Sequence, residues 1–397
     1  MYSHRSVRSA RYINRGRFGR FRGGFRGRGV PAASIHSFIR KASVQVQANP
    51  AVVPTVNVDT LLIDQKLKNN ILARGYGLLM PIQAKAIPHI LEGKDIIGIA
   101  NTGTGKTATF LIPIIQRVIT NPGFKALIIT PTRELALQIQ EELRRFTQGI
   151  RLNSTFCIGQ SSMRNQIYDL RRNPHVVIGT PGRLKDLIER RILNLSLFSM
   201  IVLDEVDQML DMGFVRDVKH IISFLPARRQ SLFFSATVSP EINRIIQTFV
   251  INPVTVSVKT QETVSHIKQD VVKVEVGKTK VQVLDDLLKK EEFKKVLVFG
   301  RTKFGVEHLG QELFRKGFRV TSIHGDKPQV KRQQAIRMFR DDVVNIMIAT
   351  DVAARGLDIR DVTHVINFDP PATYEDYIHR IGRTGRANKS GTALTFV

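Results

Sequence analysis

The sequence has 397 residues, of which 42% are hydrophobic, so it is long enough to form two domains with a core in each. Its 60 Lys and Arg residues outnumber 34 Asp and Glu residues, and the net charge of +26 favours a polyanionic partner or an anionic surface. The single cysteine, Cys157, excludes an intramolecular disulfide and a cysteine-rich zinc site, and no apolar run is long enough to predict a membrane span.

Residues 1–50 are predicted to form a disordered basic tail. Between residues 15 and 29 this segment interleaves Arg, Gly and Phe, a low-complexity composition that cannot build a core. Arginine can contact phosphates and phenylalanine can stack on bases, so the segment resembles an RGG box and predicts sequence-tolerant RNA binding. A solubilising tail and an organelle transit peptide are open alternatives, because the segment is rich in Arg, contains Ser and lacks acids.

Residues 56–255 are predicted to form an α/β domain. Short apolar runs alternate with helical stretches such as Glu134–Phe146, which favours a parallel sheet with helices on both faces. The predicted strands are Ile96–Ala100, Ala126–Thr130, Val176–Gly179, Met200–Leu203 and Ser231–Ser235. Because active sites in such sheets lie beyond the carboxyl ends of the strands, the residues directly after each run are the candidates for function.

The same alternation starts again near residue 272, so residues 272–397 are predicted to form a second α/β domain. Its strands are expected at Val272–Val276, Val296–Phe299, Arg319–His324, Asn345–Ala349, His364–Phe368 and Thr392–Val397. The stretch Asn252–Asp270 is polar, and residues 256–271 are interpreted as a linker. Two such domains would enclose a cleft.

A phosphate-binding loop is predicted at Ala100–Thr107, between a strand and the apolar helix Ala108–Val118. Its glycines let backbone N–H groups approach phosphate oxygens, and the helix N-terminus adds a positive dipole end. Lys106 would reach the β- and γ-phosphates, and Thr107 would ligate Mg²⁺. The loop therefore predicts nucleotide binding in the first domain.

A run of acids, Asp204-Glu205-Val206-Asp207, follows the predicted strand Met200–Leu203. Buried carboxylates need a partner, and Mg²⁺ supplies one. Asp204 would hold the metal, and Glu205 would orient and deprotonate the attacking water. Together with the phosphate loop, this run predicts hydrolysis of a nucleoside triphosphate.

An ordered set of motifs over about residues 58–397 resembles the DEAD-box family of ATP-dependent RNA helicases in superfamily 2. In the first half the motifs are Gly75-Tyr76, Pro81-Ile82-Gln83, Pro131-Thr132-Arg133-Glu134-Leu135-Ala136, Thr180-Pro181-Gly182-Arg183 and Ser235-Ala236-Thr237. In the second half they are Val298-Phe299, Arg301-Thr302-Lys303, Gln329 with Arg332, the run from Ala349 to Asp358 and the run from His379 to Arg386. Each motif alone is weak, but the ordered set is specific.

The resemblance implies two tandem RecA-like domains with parallel sheets flanked by helices, and ATP and Mg²⁺ as cofactors. The implied nucleotide-binding residues are Tyr76, Gln83, Thr102, Gly103, Thr104, Gly105, Lys106, Thr107 and Asp358. The implied catalytic residues are Lys106, Asp204, Glu205, Arg383 and Arg386, with Thr107 and Asp204 on the metal. The implied coupling residues are Asp207, Ser235, Thr237 and His379. The implied RNA-binding residues are Thr132, Arg133, Gly159, Thr180, Gly182, Arg183, Arg301, Gln329, Arg332 and Thr350.

The implied activity is an RNA-stimulated ATPase that closes its two domains on single-stranded RNA. Closure would unwind short duplexes locally or remodel RNA–protein complexes, largely without regard to sequence. The resemblance also implies a monomer without membrane attachment, located in the cytoplasm, or in an organelle if the tail is a transit peptide. Two other functions are open: an RNA clamp or annealing chaperone that depends on the tail, and a DNA-directed motor of the same superfamily.

Four positions depart from the family pattern. Leu79-Met80 stands in place of Pro-Thr, Val58 in place of an aromatic residue, Val206 in place of Ala, and Gly159-Gln160 in place of Gly-Gly. The support for adenine selection and one RNA contact are therefore expected to differ. Family domains usually continue into a final helix, whereas this chain stops at a predicted strand, so the second domain is expected to be minimal or truncated.

Overall fold

The computed structural model describes residues 32–45, 56–101, 103–237, 240–258, 266–354, 359, 361–385 and 390–397. Its first element is helix α1 (Ala32–Gln45), so the disorder predicted for residues 1–50 is wrong for this segment. Residues 1–31 and 46–50 of the predicted tail lie outside the described residues. The apolar residues of α1 recur at helical spacing, a signal that the composition of the whole tail conceals. They are Ile35, Phe38, Ile39 and Ala42.

The first domain is built on a parallel sheet. The strands of this domain are β1 (Val56–Asn57), β2 (Leu78–Leu79), β3 (Ile96–Ala100), β4 (Ala126–Ile129), β5 (Ser154–Cys157), β6 (Val176–Gly179), β7 (Met200–Leu203), β8 (Gln230–Ser235) and β9 (Val254–Val258). β1 and β2 form a short antiparallel pair, and the other seven form one parallel sheet in the order β5-β6-β4-β7-β8-β3-β9. The five predicted strands are confirmed to within one residue at each end, and the sheet gains the edge strands β5 and β9.

Helices cover both faces of this sheet. They are α2 (Gln65–Leu72), α3 (Pro81–Leu91), α4 (Lys106–Thr120), α5 (Arg133–Phe146), α6 (Met163–Arg171), α7 (Pro181–Glu189), α8 (Val206–Asp211), α9 (Val215–Ile222) and α10 (Pro240–Gln247). One buried cluster includes Phe110 and Phe146, and another, built on the alternate strand residues, includes Leu184 and Phe198. With both faces covered by helices, ligands must approach at the ends of the strands.

The second domain repeats this architecture. Its strands are β10 (Ile267–Val272), β11 (Val296–Phe299), β12 (Val320–Ile323), β13 (Ile346–Ala349), β14 (His364–Asn367) and β15 (Gly391–Phe396), parallel in the order β10-β15-β14-β11-β13-β12. Its helices are α11 (Lys280–Leu288), α12 (Lys303–Arg315), α13 (Gln329–Arg340), α14 (Asp351–Ala354) and α15 (Tyr374–Ile381). The predicted fold class is confirmed. Within the described ranges, every helix is too short or too polar to cross a bilayer.

The boundary between the domains differs from the prediction. The predicted strand Val272–Val276 is wrong, because β10 pairs with β15 from Ile267 to Val272. The predicted linker 256–271 is too long at both ends, since residues 256–258 belong to β9 and residues 267–271 to β10. Both are edge strands that expose side chains at several positions, so their sequences resemble loops rather than buried strands. Residues 259–265 lie outside the described part of the chain.

Candidate active site and nucleic-acid interface

The predicted phosphate loop lies at the carboxyl end of β3 and leads directly into α4. Gly103 and Gly105 have φ angles of +83° and +87°, a backbone conformation that glycine adopts without a Cβ clash. Thr104 is buried, and its Oγ1 donates to the carbonyl oxygen of Asn101 at 2.8 Å, which closes the loop. The first N–H groups of α4 have no partners within the helix, so the loop is suited to an anion. Thr102 lies outside the described residues.

Gln83, in α3, links the predicted base-reading motif to the phosphate loop. Its buried side chain accepts a hydrogen bond from the Met80 N–H at 2.9 Å and donates through Nε2 to the Gly105 carbonyl oxygen at 3.1 Å. A Cβ at Gly105 would lie 2.5 Å from that nitrogen, so the loop passes too close to Gln83 for a side chain. Tyr76, by contrast, packs edge-to-face on Phe146, with ring centroids 6.0 Å apart.

Asp204 and Glu205 follow β7 and are buried beside Lys106. Burial raises the pKa of Asp204, while the nearby Lys106 ammonium opposes this rise. Burial and the adjoining Asp204 raise the pKa of Glu205 to about 7, so this carboxylate is suited to accept a proton. The φ angle of Glu205 is +55°, a strained conformation for a residue with a side chain and one that clusters at functional sites.

Lys106 Nζ and Glu205 Oε2 are buried and have no hydrogen-bond partner among the described residues. Leaving such atoms unpaired costs free energy, which indicates that they face a ligand. The Thr107 hydroxyl and the Asp204 carboxylate are hard oxygen donors and fit Mg²⁺, which takes few protein ligands in nucleotide sites and completes its shell with phosphates and waters. The described residues contain no cluster of three or more His, Cys, Asp or Glu side chains that could hold a metal ion.

Asp207 connects the acidic motif to the predicted coupling motif at the end of β8. Its Oδ2 accepts hydrogen bonds from the N–H groups of Ala236 and Thr237 at 3.0 and 3.1 Å. The Ser235 hydroxyl donates to the Thr237 carbonyl oxygen at 2.6 Å. These bonds hold the loop after β8 against the start of α8, so a displacement of one would be transmitted to the other.

Arg383 brings the second domain to the nucleotide site. It is buried in the turn after α15, and its charge lies near enough to Glu205 to oppose the raised pKa of that carboxyl. Its Nε donates to the carbonyl oxygen of His379 at 3.3 Å, so the end of α15 supports its position. The structure thus brings together catalytic candidates from both domains. Arg386 and Asp358 lie outside the described residues.

Arg380, which belongs to the motif from His379 to Arg386, stabilises the second domain. Its Nε and Nη2 donate to the Asp351 carboxylate at 2.6 and 2.8 Å. Its Nη1 donates to Asn367 Oδ1 at 3.2 Å and to the Asp369 carbonyl oxygen at 2.6 Å. The buried guanidinium therefore holds α15 against α14 and the end of β14.

The predicted RNA-contacting residues of the first domain lie after β4, β5 and β6, which are neighbours in the sheet. Thr132 caps α5, and its Oγ1 accepts a hydrogen bond from the Leu135 N–H at 3.2 Å. Gln160, which departs from the family's Gly-Gly turn, has a φ of +56° and accepts a hydrogen bond from Arg133 Nη1. A Cβ at Gly159 would lie 3.2 Å from Arg133. The altered turn therefore fixes the Arg133 side chain.

The third loop with predicted RNA-contacting residues follows β6 and begins at Thr180, immediately before α7. Arg183 Nη1 donates to Gln166 Oε1 at 2.9 Å, which fixes the guanidinium at the surface of the domain. A Cβ at Gly182 would meet no described atom within 4 Å, so the space around this glycine is open to a ligand.

The predicted RNA-binding residues of the second domain divide into an accessible group and a buried group. Arg301 is exposed, and its backbone N–H donates to Asp369 Oδ2 at 2.8 Å. Thr350 is half-buried after β13. Gln329 and Arg332, at the start of α13, are buried instead.

Gln329 and Arg332 both contact Glu134 of the first domain. Arg332 Nε lies 2.9 Å from Glu134 Oε1, and Gln329 Nε2 donates to the same oxygen at 3.2 Å. Glu134 belongs to the motif from Pro131 to Ala136, but the family resemblance implied no role for it. The sequence feature that could have indicated a role for Glu134 is its position, next to Arg133 in the first turn of α5.

Two family models match the chain: "DEAD/DEAH box helicase" over residues 80–245 and "Helicase conserved C-terminal domain" over residues 279–388. The DEAD-box ATP-dependent RNA helicase CshA of Bacillus licheniformis is 45% identical over 345 residues, which cover 86% of this chain and 71% of the relative. The chain belongs to the DEAD-box helicase family. The two matches fall on the two α/β domains of this helicase and include the phosphate loop, the acidic motif and α15.

Solved structures of one relative bear on how the domains of this helicase are arranged. Saccharomyces cerevisiae Dbp5 bound to RNA and ADP–BeF3 is 31% identical and aligns with a TM-score of 0.77 over 86% of this chain and 90% of that chain. A Dbp5 variant bound to Nup159, a Gle1 variant, IP6 and ADP is 30% identical and aligns with a TM-score of 0.60 over 84% of this chain and 88% of that chain. Since nearly the same sequence gives both scores, the domains of this helicase are arranged more like those of the RNA-bound complex.

Proposed function

We propose that this DEAD-box helicase couples ATP binding and hydrolysis to closure on single-stranded RNA, which unwinds short duplexes locally or remodels RNA–protein complexes. Two interactions between the domains carry the proposal: the charge of Arg383 acts on Glu205, and Arg332 forms an ion pair with Glu134. The second domain therefore adds a residue both to the nucleotide site and to the side of the first domain that carries the predicted RNA-binding residues. ATP and RNA would each favour the closed state and so strengthen each other's binding.

The chain's own groups can account for the chemistry of hydrolysis. Lys106 would bind the β- and γ-phosphates, and Thr107 and Asp204 would hold Mg²⁺, which supplies charge neutralisation on the phosphates when bound. Glu205, whose pKa is raised to about 7, would accept the proton of the attacking water. Arg383 would stabilise the transferred phosphoryl group, an effect that reaches roughly 10³–10⁵ in rate for arginines in this role. Hydrolysis would therefore require closure.

ATP is the proposed nucleotide because of the hydrogen-bonding capacity that remains on Gln83. Its amide uses one donor on Gly105 and one acceptor site on Met80. One N–H donor and one oxygen lone pair are left. These match the N7 acceptor and the N6 amino donor of adenine.

The RNA strand is proposed to lie along the edge that carries Arg133, Arg183 and Arg332. Burial lowers the pKa of Arg133, and the charges of Arg332 and Arg183 lower it further, which places the three guanidinium groups close together. Glu134 is the acid that opposes this effect, so the edge retains excess positive charge for phosphates. Contacts to phosphates and sugars would position RNA without reading its sequence. The proposed site needs one chain, so we infer a monomer.

ATP hydrolysis with and without nucleic acid tests the proposal. Single-stranded RNA should raise the rate, and DNA should raise it less. Lys106→Ala and Glu205→Gln should abolish hydrolysis, whereas Glu291→Gln, which removes an exposed carboxylate outside the site, should not. Hydrolysis that does not respond to RNA would contradict the proposal. Equal stimulation by DNA would favour a DNA-directed motor, and RNA annealing without hydrolysis would favour a chaperone.

A further inference from the structure

Helix α1 precedes the first domain in sequence but packs on the second. Phe38, Ile39 and Ala42 contact a cluster of residues from α15, β10 and β15. The cluster comprises Ile267, Tyr374, Tyr377, Ile378, Ile381 and Ala393. Ala42 is completely buried in this cluster, so α1 is an integral part of the packing of the second domain rather than an appendage to the first.

The two helices meet through apolar stripes with the same spacing. On α1 the stripe has the positions i, i+3, i+4 and i+7 from Ile35, and on α15 it has the same positions from Tyr374. The Phe38 ring lies edge-to-face on Tyr374 and tilted on Tyr377, with centroid distances of 5.8 and 6.1 Å. Lys41 Nζ lies 4.3 Å from the Tyr374 ring centroid, a cation–π contact that adds to the packing.

α15 carries this stripe together with residues of the catalytic site. His379 and Arg380 belong to α15, and Arg383 follows in the next turn with its Nε on the His379 carbonyl oxygen. The helix has only eight residues, too few to be stable on its own. Its position therefore depends on what packs against it, and α1 packs on its apolar stripe through Phe38, Ile39 and Ala42.

We propose that α1 is a positioning element for catalysis: through Phe38 and its neighbours it holds α15, and with it the Arg383 side chain that hydrogen-bonds the end of α15, in its place at the nucleotide site. The inference rests on the ATPase function proposed above. If α1 is loosened, α15 can shift, and misplacement of a catalytic group by about 1 Å can cost on the order of 100-fold in rate. The loss should fall on kcat, because Lys106 and Gln83, which would bind the nucleotide, lie in the first domain.

The test compares three variants of the full chain in RNA-saturated ATPase assays. Phe38→Ala should lower kcat by roughly ten- to a hundredfold and leave KM for ATP within about threefold of the wild-type value. Phe38→Leu, which keeps an apolar side chain, should restore most of the rate. His36→Ala changes an exposed residue of the same helix and should behave like the wild type.

Further measurements separate positioning from general stability. Thermal unfolding establishes that each variant is folded at the assay temperature, and Ile39→Ala replaces Phe38→Ala if that variant does not fold. A lower melting temperature with kcat within about twofold of wild type would overturn the proposal, as would an equal loss of kcat in His36→Ala. A rise in KM that matches the fall in kcat would overturn it too. Failure of the wild type to hydrolyse ATP in response to RNA would instead refute the proposed function.

Discussion

Glu134→Gln should make this helicase require more RNA to reach the closed state. The side chains of Glu134 and Arg332 come from different domains, are 3% and 6% exposed, and place their charged atoms 2.9 Å apart. In the closed state the variant would leave the Arg332 guanidinium buried without its counter-charge and close to Arg133. In the open state the two domains are apart, so the penalty falls on closure.

The size of the effect follows from the burial of the pair. Removing one partner of a buried ion pair costs about 3–5 kcal/mol. The glutamine oxygen can still accept the hydrogen bond that Gln329 Nε2 donates to Glu134, and a bound RNA phosphate would supply part of the missing charge. We therefore expect about 2 kcal/mol, or about 30-fold in the RNA concentration that gives half-maximal ATPase stimulation. The rate at saturating RNA should change little, because Arg383 and Glu205 are untouched.

ATPase titrations with RNA should compare the wild type, Glu134→Gln, Arg332→Gln and the double variant. The double variant should be less impaired than the sum of the single effects, since both substitutions break the same pair. Glu141→Gln is the matched control, because it breaks an ion pair on α5 with Arg145 that is about 40% exposed and contributes about 0–1 kcal/mol. If Arg332 only binds an RNA phosphate, Glu134→Gln will not weaken RNA binding and the effects will be additive. That result would refute the reasoning.

Three further predictions test other contacts. Asp207→Asn should reduce duplex unwinding about tenfold more than ATP hydrolysis, because the charge-assisted bonds to the loop of Thr237 are worth about 1.5–3 kcal/mol each; parallel losses of both activities would contradict this. Arg380→Lys should lower the urea-derived free energy of unfolding by about 2–3 kcal/mol, because lysine cannot reproduce the bidentate bonds to Asp351; an unchanged midpoint and slope would contradict it. Burial raises the pKa of Cys157 to about 12, so its thiol stays protonated at pH 8, and mass spectrometry should detect alkylation by iodoacetamide only after unfolding.

Much of the fold was predictable because the central strands of each sheet are buried on both faces. Met200–Leu203 and Val296–Phe299 are continuous apolar runs, and each lies where it was predicted. The edge strands β9 and β10 were not found, because exposed positions interrupt their apolar residues. Local sequence therefore reports how deeply a strand is buried more reliably than where a domain ends.

The site was predictable where its residues act next to one another along the chain, and less so where they meet across it. The phosphate loop and the acidic run carry their spacing in the sequence, and the structure brings Lys106, Asp204 and Glu205 together. The partner of Arg332 was missed because Glu134 lies in the other domain and meets it only on closure. The apolar stripe of α1 can be read from the sequence, but its packing on α15 depends on tertiary structure.

The two hydrogen bonds of the Gln83 amide, to Met80 and to Gly105, bear on how this helicase would choose among nucleotides. The amide proposed to read adenine also holds the carbonyl oxygen of Gly105, directly before Lys106. A base that cannot satisfy the amide would disturb the loop that positions the γ-phosphate, while the triphosphate could still be bound by the loop and the helix dipole. Selectivity would then be exerted in turnover more than in affinity. GTP and UTP would act as competitive inhibitors that occupy the cleft without completing the cycle.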